Sequence, residues 1–514
     1  MQPWLCKVRS LSKLCALACL LTTFAVYGAD DAPPKIISAN PAFEHGLAGW
    51  QVSGDVHLDP AGGVRLGPGF GAIRQRFDAT AVNHMQVSVL ASAGSARALR
   101  VIVRCLDHEG HELMSLATPG DIRPDEKKAD DLEDYFRPHP FTQAIELIVA
   151  KDADMGTAAV QHASVAVYDD DDPSLASTQN ESELMRPFWQ GDAVTGEAVL
   201  MEAFGDGPAT GTLMFQPTRI LSVTSYDGSV TYAPGKDYTV TGRTLVATPG
   251  SRMTIVRDAD LKHGEIAWNI VGGEQVMVNY EHTDRWPGPV QPFVGAALPN
   301  TMQKLTAHAP LDIVAFGDSI TYGIGSSYMR KIAPYQRPWL DLFADELRRT
   351  TGDSAITLDN ASQSGADSNW AAHLAGRMVA NLHPDLVIVA FGQNDFWRIS
   401  PDDFAANIAA VIRIVRAASP QAEFLLVSTL RFDPVYSAQP DYWNLVTQYD
   451  AKLRAMTGPG VQLVDMTAIS GAVYAAKAPK DCLNDPLHPN DYFSRWYAQS
   501  MMAALTPDGV AGGH

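Results

Sequence analysis

The stretch AFGDSITYG, Ala315–Gly323, joins an apolar run to a Gly-Asp-Ser turn. The run from Ile313 to Phe316 is typical of a buried strand, and Gly317 permits a sharp turn directly after it. Ser319 would then open the helix or loop that follows this strand. Gly-Asp-Ser by itself fits both a nucleophilic serine and an ordinary loop serine, so the rest of the chain must distinguish them.

Strand-like and helix-like segments alternate after this turn. Strands are predicted at 313–316, 356–358, 386–391, 424–427 and 461–464, and helices at 339–349, 369–381, 401–417 and 442–456. Ser400 is predicted to cap the third of these helices, with Pro401 at its first position. Val-, Ile- and Leu-rich strands between helices indicate a parallel sheet covered on both faces. Residues 305–507 are therefore predicted to form one α/β/α domain.

Four polar segments follow strands of this predicted sheet. They are Ser319 after the first strand, NASQSG (360–365) after the second, GQND (392–395) after the third and DPLH (485–488) after the last. Ligands of such a sheet bind beyond the carboxyl ends of its strands, so the four segments are predicted to meet there. Turn formation explains any one segment, but it does not explain all four in one domain.

The residue types in these segments suit acyl transfer through a serine nucleophile. A serine hydroxyl needs an adjacent base, and His488 is predicted to take the proton of Ser319. Asp485 would fix the tautomer of this imidazole and stabilise its charged form. The Ser319 N–H, the Gly365 N–H and the Asn394 side-chain amide are the predicted donors to the oxyanion.

Three further aspartates in this domain are interpreted as structural. Asp318 and Asp395 are predicted to be turn and network residues rather than acids in the chemistry. Asp367 is a candidate helix N-cap.

In these segments the chain resembles the SGNH or GDSL hydrolases, from the Gly317-Asp318-Ser319 segment to Asp485-x-x-His488. Every segment occurs in the order that the family has. The resemblance implies a flavodoxin-like three-layer fold and ester hydrolysis.

Two β-rich modules are predicted before this domain. Short apolar and alternating runs at 85–90, 99–103, 144–149 and 163–167 predict an all-β sandwich over 36–168. Four adjacent aspartates open a predicted linker at 169–183, since like charges do not pack together. Turn signals at 226–228, 234–236 and 249–250 divide a second β-rich module, predicted at 184–300.

The start of the first module resembles jelly-roll carbohydrate-binding modules. Asn40-Pro41, Phe43-Glu44 and Gly49-Trp50 carry this resemblance, which implies a sugar-binding sandwich. The alternative is a sandwich that packs on its neighbour, with Trp50 in the core rather than on a sugar platform.

An export segment is predicted at the amino terminus. Residues 1–29 combine three basic residues with an apolar run at 14–26 and the small residues Gly28-Ala29, as in a signal peptide cleaved near Ala29. A lipoprotein signal ending at Cys19 is the alternative. The apolar run is too short to span a membrane, so we expect a secreted or periplasmic protein without membrane insertion.

The chain is acidic, with a formal charge of −19 that becomes −22 when the three basic residues of 1–29 are removed. Such a charge repels nucleic acid and anionic membranes, so a neutral polymer is the better partner. The sequence does not determine the oligomeric state.

Two of the five cysteines, Cys105 and Cys482, lie outside the predicted signal peptide. A disulfide between them and two free thiols both fit the sequence. The chain has no HExxH motif, no paired CxxC and no Gly-rich phosphate loop, so no catalytic metal, nucleotide or other cofactor is predicted.

Aromatic residues follow three of the four polar segments. Tyr322, Trp370, Phe396 and Trp397 are candidates to bind substrate, because aromatic faces suit sugar rings, but such side chains also pack in cores. The whole architecture, with RPFW at 186–189 and VQPFVGAALPNTMQKL at 290–305, resembles bacterial xyloglucan acetylesterases of carbohydrate esterase family twenty.

That resemblance implies removal of O-acetyl groups from a plant cell-wall polysaccharide, with xyloglucan as the first candidate. One alternative is a lipase or thioesterase that acts on longer acyl esters. The other is a non-catalytic carbohydrate-binding protein with an inactive hydrolase fold.

Overall fold

A computed structural model of the protein describes residues 35–79, 84–117, 130–136, 138–139, 141–168, 176–177, 179–257, 272–330, 332–352, 355–431 and 442–507. The predicted signal peptide lies outside these ranges, as does most of the first half of the predicted linker. Within the described ranges, no helix has both the length and the apolar character needed to cross a bilayer.

The amino-terminal module is a nine-stranded antiparallel sheet, with the order β6-β5-β8-β3-β9-β4-β7 and with β1 paired to β9 and β2 to β3. The strands are β1 Lys35–Ile36, β2 Gln51–Leu58, β3 Val64–Asp78, β4 His84–Ser92, β5 Leu99–Leu106, β6 Glu112–Ala117, β7 Asp130–Phe136, β8 Ala144–Asp154 and β9 Ala158–Tyr168. The four runs predicted as strands lie in β4, β5, β8 and β9.

One long strand joins the two halves of this sheet. The start of β3 pairs with β9, and its remainder pairs with β8. Trp50 belongs to the core here: its side chain is 7% exposed, and its ring centroid lies 5.4 Å from that of Phe43. Trp50 is therefore a packing residue rather than an exposed sugar platform.

The middle module contains two small sheets, with the orders β10-β17-β13 and β14-β15-β12-β11-β16. A short helix, α1 Glu181–Leu184, precedes it. The strands are β10 Ala193–Val199, β11 Glu202–Ala203, β12 Thr210–Thr212, β13 Pro217–Ser225, β14 Tyr238–Thr241, β15 Thr244–Ala247, β16 Val256–Arg257 and β17 Val276–His282.

The carboxyl-terminal domain contains the predicted parallel sheet, with five strands in the order β19-β18-β20-β21-β22. The strands are β18 Leu311–Gly317, β19 Ile356–Asn360, β20 Leu386–Ala390, β21 Glu423–Val427 and β22 Val461–Val464. This 2-1-3-4-5 order is that of flavodoxin-like sheets, in which ligands bind at the carboxyl ends of the strands.

Helices flank these strands. They are α2 Pro299–Ala307, α3 Ser319–Tyr322, α4 Trp339–Thr351, α5 Ser368–Met378, α6 Pro401–Ala418, α7 Tyr442–Ala455, α8 Met466–Ala476 and α9 Asp491–Leu505, with 3-10 turns at Gly295–Ala297, Ala380–Leu382, Asp395–Trp397 and Pro479–Asp481. The predicted caps are confirmed: Ser400 Oγ accepts from the N–H of Asp403 and Asp367 Oδ1 from that of Trp370. Helix α5 ends earlier than predicted, since Val379 leaves the helical region at φ −121°.

The middle module packs firmly on the carboxyl-terminal domain. Lys477 Nζ lies 2.6 Å from Glu197 Oε1, and neither side chain is exposed. Tyr280 Oη and the Met214 N–H also donate to Glu197. A buried ion pair needs such additional hydrogen bonds to offset its lost hydration. Because Glu197 belongs to one module and Lys477 to the other, the pair lies in an interior that both modules share.

Helix α9 is buried along its whole length because this module covers its outer face. Phe188, from the RPFW segment, lies on α9 with ring centroids 4.8 Å from Tyr492 and 5.3 Å from Trp496. Cys105 and Cys482 are both buried and unpaired.

Candidate active site

Ser319 lies at the junction of strand β18 and the short helix α3. Asp318 caps this helix, since its Oδ1 accepts from the N–H of Ile320 at 3.0 Å. Gly317 is required by close packing, because a Cβ there would lie 2.7 Å from the Ala390 carbonyl oxygen. The sequence therefore folds locally into the strand-to-helix turn that the Gly-Asp-Ser motif indicates.

Ser319, His488 and Asp485 form one hydrogen-bonded chain. His488 Nε2 lies 2.8 Å from Ser319 Oγ, and His488 Nδ1 lies 2.8 Å from Asp485 Oδ2. The other carboxylate oxygen of Asp485 accepts from the N–H groups of Leu487 at 2.8 Å and His488 at 3.0 Å. The structure thus brings together residues 169 positions apart in a geometry suited to proton transfer from the serine.

Gly365 occupies the third position of a tight turn. The Gln363 carbonyl accepts from the N–H of Ala366 at 3.2 Å, and Gly365 has a φ of 76°. A type II turn requires such a positive φ at this position, and a glycine adopts it without strain. A Cβ on Gly365 would meet no atom within 4 Å, so backbone conformation rather than space selects the glycine.

Asn394 lies against the same turn. Its Nδ2 donates to the Ala366 carbonyl at 2.9 Å. The same turn is also hydrogen-bonded to strand β18, which precedes Ser319, because the Gln363 N–H donates to the Gly317 carbonyl at 3.0 Å. The segments that carry Ser319, Gly365 and Asn394 are thus joined by hydrogen bonds, while the role of these groups as oxyanion donors stays a prediction.

The charges around His488 favour its protonated form. Burial lowers the pKa of the imidazole, but the carboxylates of Asp485 and Asp318 raise it, and the net shift is upward from 6.5. Burial raises the pKa of Asp318 itself to about 7. Burial likewise raises the pKa of Asp395 to about 6, although the Ser368 N–H donates to that carboxylate.

The raised pKa of His488 predicts the acid limb of the activity profile. The base accepts the serine proton only when neutral, so activity should be complete above this pKa and fall as the pH drops through it. We expect the midpoint of the kcat/KM profile for an acetyl ester to lie above 6.5. Acetate release measured between pH 4 and 9 checks this, and a rate that stays constant down to pH 4 would exclude His488 as the base.

The aromatic residues predicted to contact substrate are largely packed in the interior. Tyr322 is 2% and Phe396 is 9% exposed. Trp370 is half-buried, with its ring centroid 5.3 Å from that of Phe316. Trp397 lies in the 3-10 turn Asp395–Trp397, and its side chain is not among the described parts of the structure. These burial values do not favour sugar stacking on Tyr322 or Phe396, and a contact role for the four residues stays a prediction.

Several residues that support the site carry no motif. Gln275, from the middle module, donates to the carbonyls of Lys480 at 3.2 Å and Leu483 at 2.9 Å, in the loop that leads to Asp485. Gln363 accepts from the Ser115 N–H of the amino-terminal module at 3.0 Å. A single glutamine has no sequence pattern that reveals such a partner, so sequence reasoning missed both.

One group of possible metal ligands occurs among the described residues. Asp107, Glu109 and His111 place one ligand atom each within 4.8 Å of one another. All three belong to the hairpin loop between β5 and β6, and they are half or fully exposed. This loop shares no residue with the segments that carry Ser319 and His488, so these three side chains give no evidence for a metal ion at the serine.

Residues 315–495 match the model of the GDSL-like Lipase/Acylhydrolase family. This part of the chain is therefore a GDSL-like hydrolase domain, in agreement with the resemblance carried by its four polar segments. A search of curated proteins found no significant match.

Many solved structures match this chain, and three enzymes among them illustrate the low similarity. A two-domain esterase active on acetylated mannans is 21% identical with a TM-score of 0.33, over 41% of this chain and 53% of that one. A lipase from a goat rumen metagenome is 14% identical with a TM-score of 0.32, over 38% and 96%. A variant acetyl-xylooligosaccharide esterase from Geobacillus is 16% identical with a TM-score of 0.31, over 38% and 94%. The match spans about half the length of the first esterase, and similarities this low transfer no activity.

Proposed function

We propose that this protein is a serine esterase that removes O-acetyl groups from a plant cell-wall polysaccharide, with xyloglucan as the first candidate. The observation that carries the proposal is the hydrogen-bonded chain from Asp485 through His488 to Ser319 within a GDSL-like domain. The choice of xyloglucan rests on the resemblance of the RPFW and VQPFVGAALPNTMQKL segments to acetylesterases of carbohydrate esterase family twenty.

The first half of the proposed reaction acetylates the enzyme. Ser319 Oγ attacks the acetyl carbonyl carbon while His488 Nε2 takes the hydroxyl proton, and Asp485 stabilises the resulting imidazolium. The tetrahedral oxyanion would be held by the N–H groups of Ser319 and Gly365 and by the Asn394 amide. Collapse of this intermediate breaks the bond to the sugar oxygen, which leaves with the proton returned by His488.

The second half releases acetate. Water attacks the acetyl-serine carbonyl while His488 accepts a proton from that water. Collapse of the second tetrahedral intermediate returns the proton to Ser319 Oγ and frees acetate. The side chains and backbone groups of this chain supply every step, so the proposed reaction requires no cofactor.

We further infer that the protein is exported. Residues 1–29 have the composition of a signal peptide, and acetylated cell-wall polymers lie outside the cell that would degrade them. Mass spectrometry of the exported protein should place the new amino terminus near Ala29, and a mature chain that retains residues 1–29 would contradict this inference.

Acetate release from acetylated polysaccharides tests the substrate. Xyloglucan, xylan and pectin are incubated with wild-type protein and with a Ser319→Ala control, and we expect release from xyloglucan to be fastest. On p-nitrophenyl esters, an enzyme selective for acetyl groups should cleave the acetyl ester at least about tenfold faster than the octanoyl ester. Preference for the octanoyl ester, without acetate release from any polymer, would identify a lipase or thioesterase instead.

A further inference from the structure

The amino-terminal module contacts the turn that carries Gly365. Strand β6 lies at the edge of its sheet, with β5 on one side only. The N–H of Ser115 in β6 donates to the side-chain Oε1 of Gln363 at 3.0 Å. An edge strand leaves backbone donors without a strand partner, and a side chain of the carboxyl-terminal domain satisfies one of them here.

Gln363 forms hydrogen bonds at three points. Its N–H donates to the Gly317 carbonyl, its own carbonyl closes the turn by accepting from Ala366, and its side chain accepts from Ser115. The Gln363 side chain is also 9% exposed, so little water reaches this contact. Gln363 therefore links the end of the nucleophile strand, the turn with Gly365 and the amino-terminal module.

We propose that Gln363 is a positioning residue through which the amino-terminal module orients the Gly365 N–H toward the reaction. This inference rests on the proposed function, since it requires an oxyanion to be stabilised at Gly365. The module is then part of the catalytic apparatus rather than only a tethered accessory. Donors in such sites act through fixed geometry, and a displacement of about 1 Å costs about 100-fold in rate.

Two substitutions remove the same hydrogen bond from opposite sides. Gln363→Met removes the acceptor at similar side-chain volume. Ser115→Pro removes the donor, and proline is tolerated on an edge strand where its N–H faces away from the partner strand. Each should lower kcat for p-nitrophenyl acetate by about 10- to 100-fold with KM within about threefold. The double variant should lose no more than about threefold beyond the single ones, since both delete one interaction.

Two control variants separate positioning from general docking. Ser115→Ala keeps the backbone N–H and should leave kcat unchanged. Arg377→Met removes another bond to β6, in which Nη1 donates to the Glu112 carbonyl at 2.8 Å, but leaves the Gly365 turn intact. Its kcat should stay within about twofold of wild type, because the oxyanion donors do not move.

The outcomes distinguish this inference from the proposed function. Wild-type protein without any ester turnover would overturn the proposed function itself. Active wild type with unchanged kcat in Gln363→Met would overturn only the positioning role, as would equal losses in Gln363→Met and Arg377→Met. Loss in Gln363→Met alone, with a folded and fully active Ser115→Pro, would show that Gln363 acts without the amino-terminal module. Thermal unfolding of each variant identifies any that fails to fold.

Discussion

Replacing Ser319 with alanine is expected to lower kcat for p-nitrophenyl acetate by about 10⁴- to 10⁶-fold while the protein stays folded. The substitution removes the atom that forms the acyl-enzyme, and losses of this size follow the removal of a nucleophile in serine hydrolases. Ser319 Oγ lies 2.8 Å from His488 Nε2 and within a buried turn. Because alanine fits the same helical position, the loss should come from chemistry rather than from unfolding.

Ser400→Ala is the matched control for this experiment. It makes the same chemical change at a serine that caps helix α6, where Oγ accepts from the Asp403 N–H at 3.1 Å. Loss of a cap costs about 1 kcal/mol of stability, so this variant should unfold at a lower temperature with unchanged kcat. Equal acetyl-ester turnover in wild-type and Ser319→Ala preparations would instead revive the interpretation as a carbohydrate-binding protein with an inactive hydrolase fold.

Asp485→Asn is expected to lower kcat by about 10³- to 10⁴-fold. The carboxylate accepts from Nδ1 of His488, so that Nε2 is left to accept the serine proton. An asparagine amide can donate to Nδ1 instead, which favours the wrong tautomer and removes the charge that stabilises the imidazolium. The same loss of charge should lower the pKa of His488, so any residual activity should persist to lower pH than in wild type.

Asp318→Asn serves as the control, since Asp318 also raises the pKa of His488. An asparagine at this position still caps helix α3, because its amide oxygen accepts from the Ile320 N–H. We expect at most about a tenfold loss of kcat, consistent with a network role. A greater loss in Asp318→Asn than in Asp485→Asn would exchange the roles of the two carboxylates.

The parallel sheet and its alternating helices were predictable because local patterns encode them. Continuous apolar runs such as Leu386–Ala390 and the cap at Ser400 depend on neighbours a few residues away. Helix α9 was not predicted: its polar residues Asp491, Arg495 and Gln499 are buried, and Arg495 donates to the Thr195 carbonyl of the middle module rather than facing solvent. Strands β2, β3, β6 and β7 were also missed, although the runs in β4, β5, β8 and β9 were predicted.

By itself, the sequence determined the strand-end position of Ser319 and the spacing of Asp485 and His488. Each of these depends on a few adjacent residues and on the topology of a parallel sheet. Only the tertiary structure decided that Tyr322 packs inside, and that Gln363 accepts from Ser115, 248 residues away. Such contacts depend on how the surfaces of two modules pack together, and the residues next to Gln363 in the sequence do not indicate which distant residue it will contact.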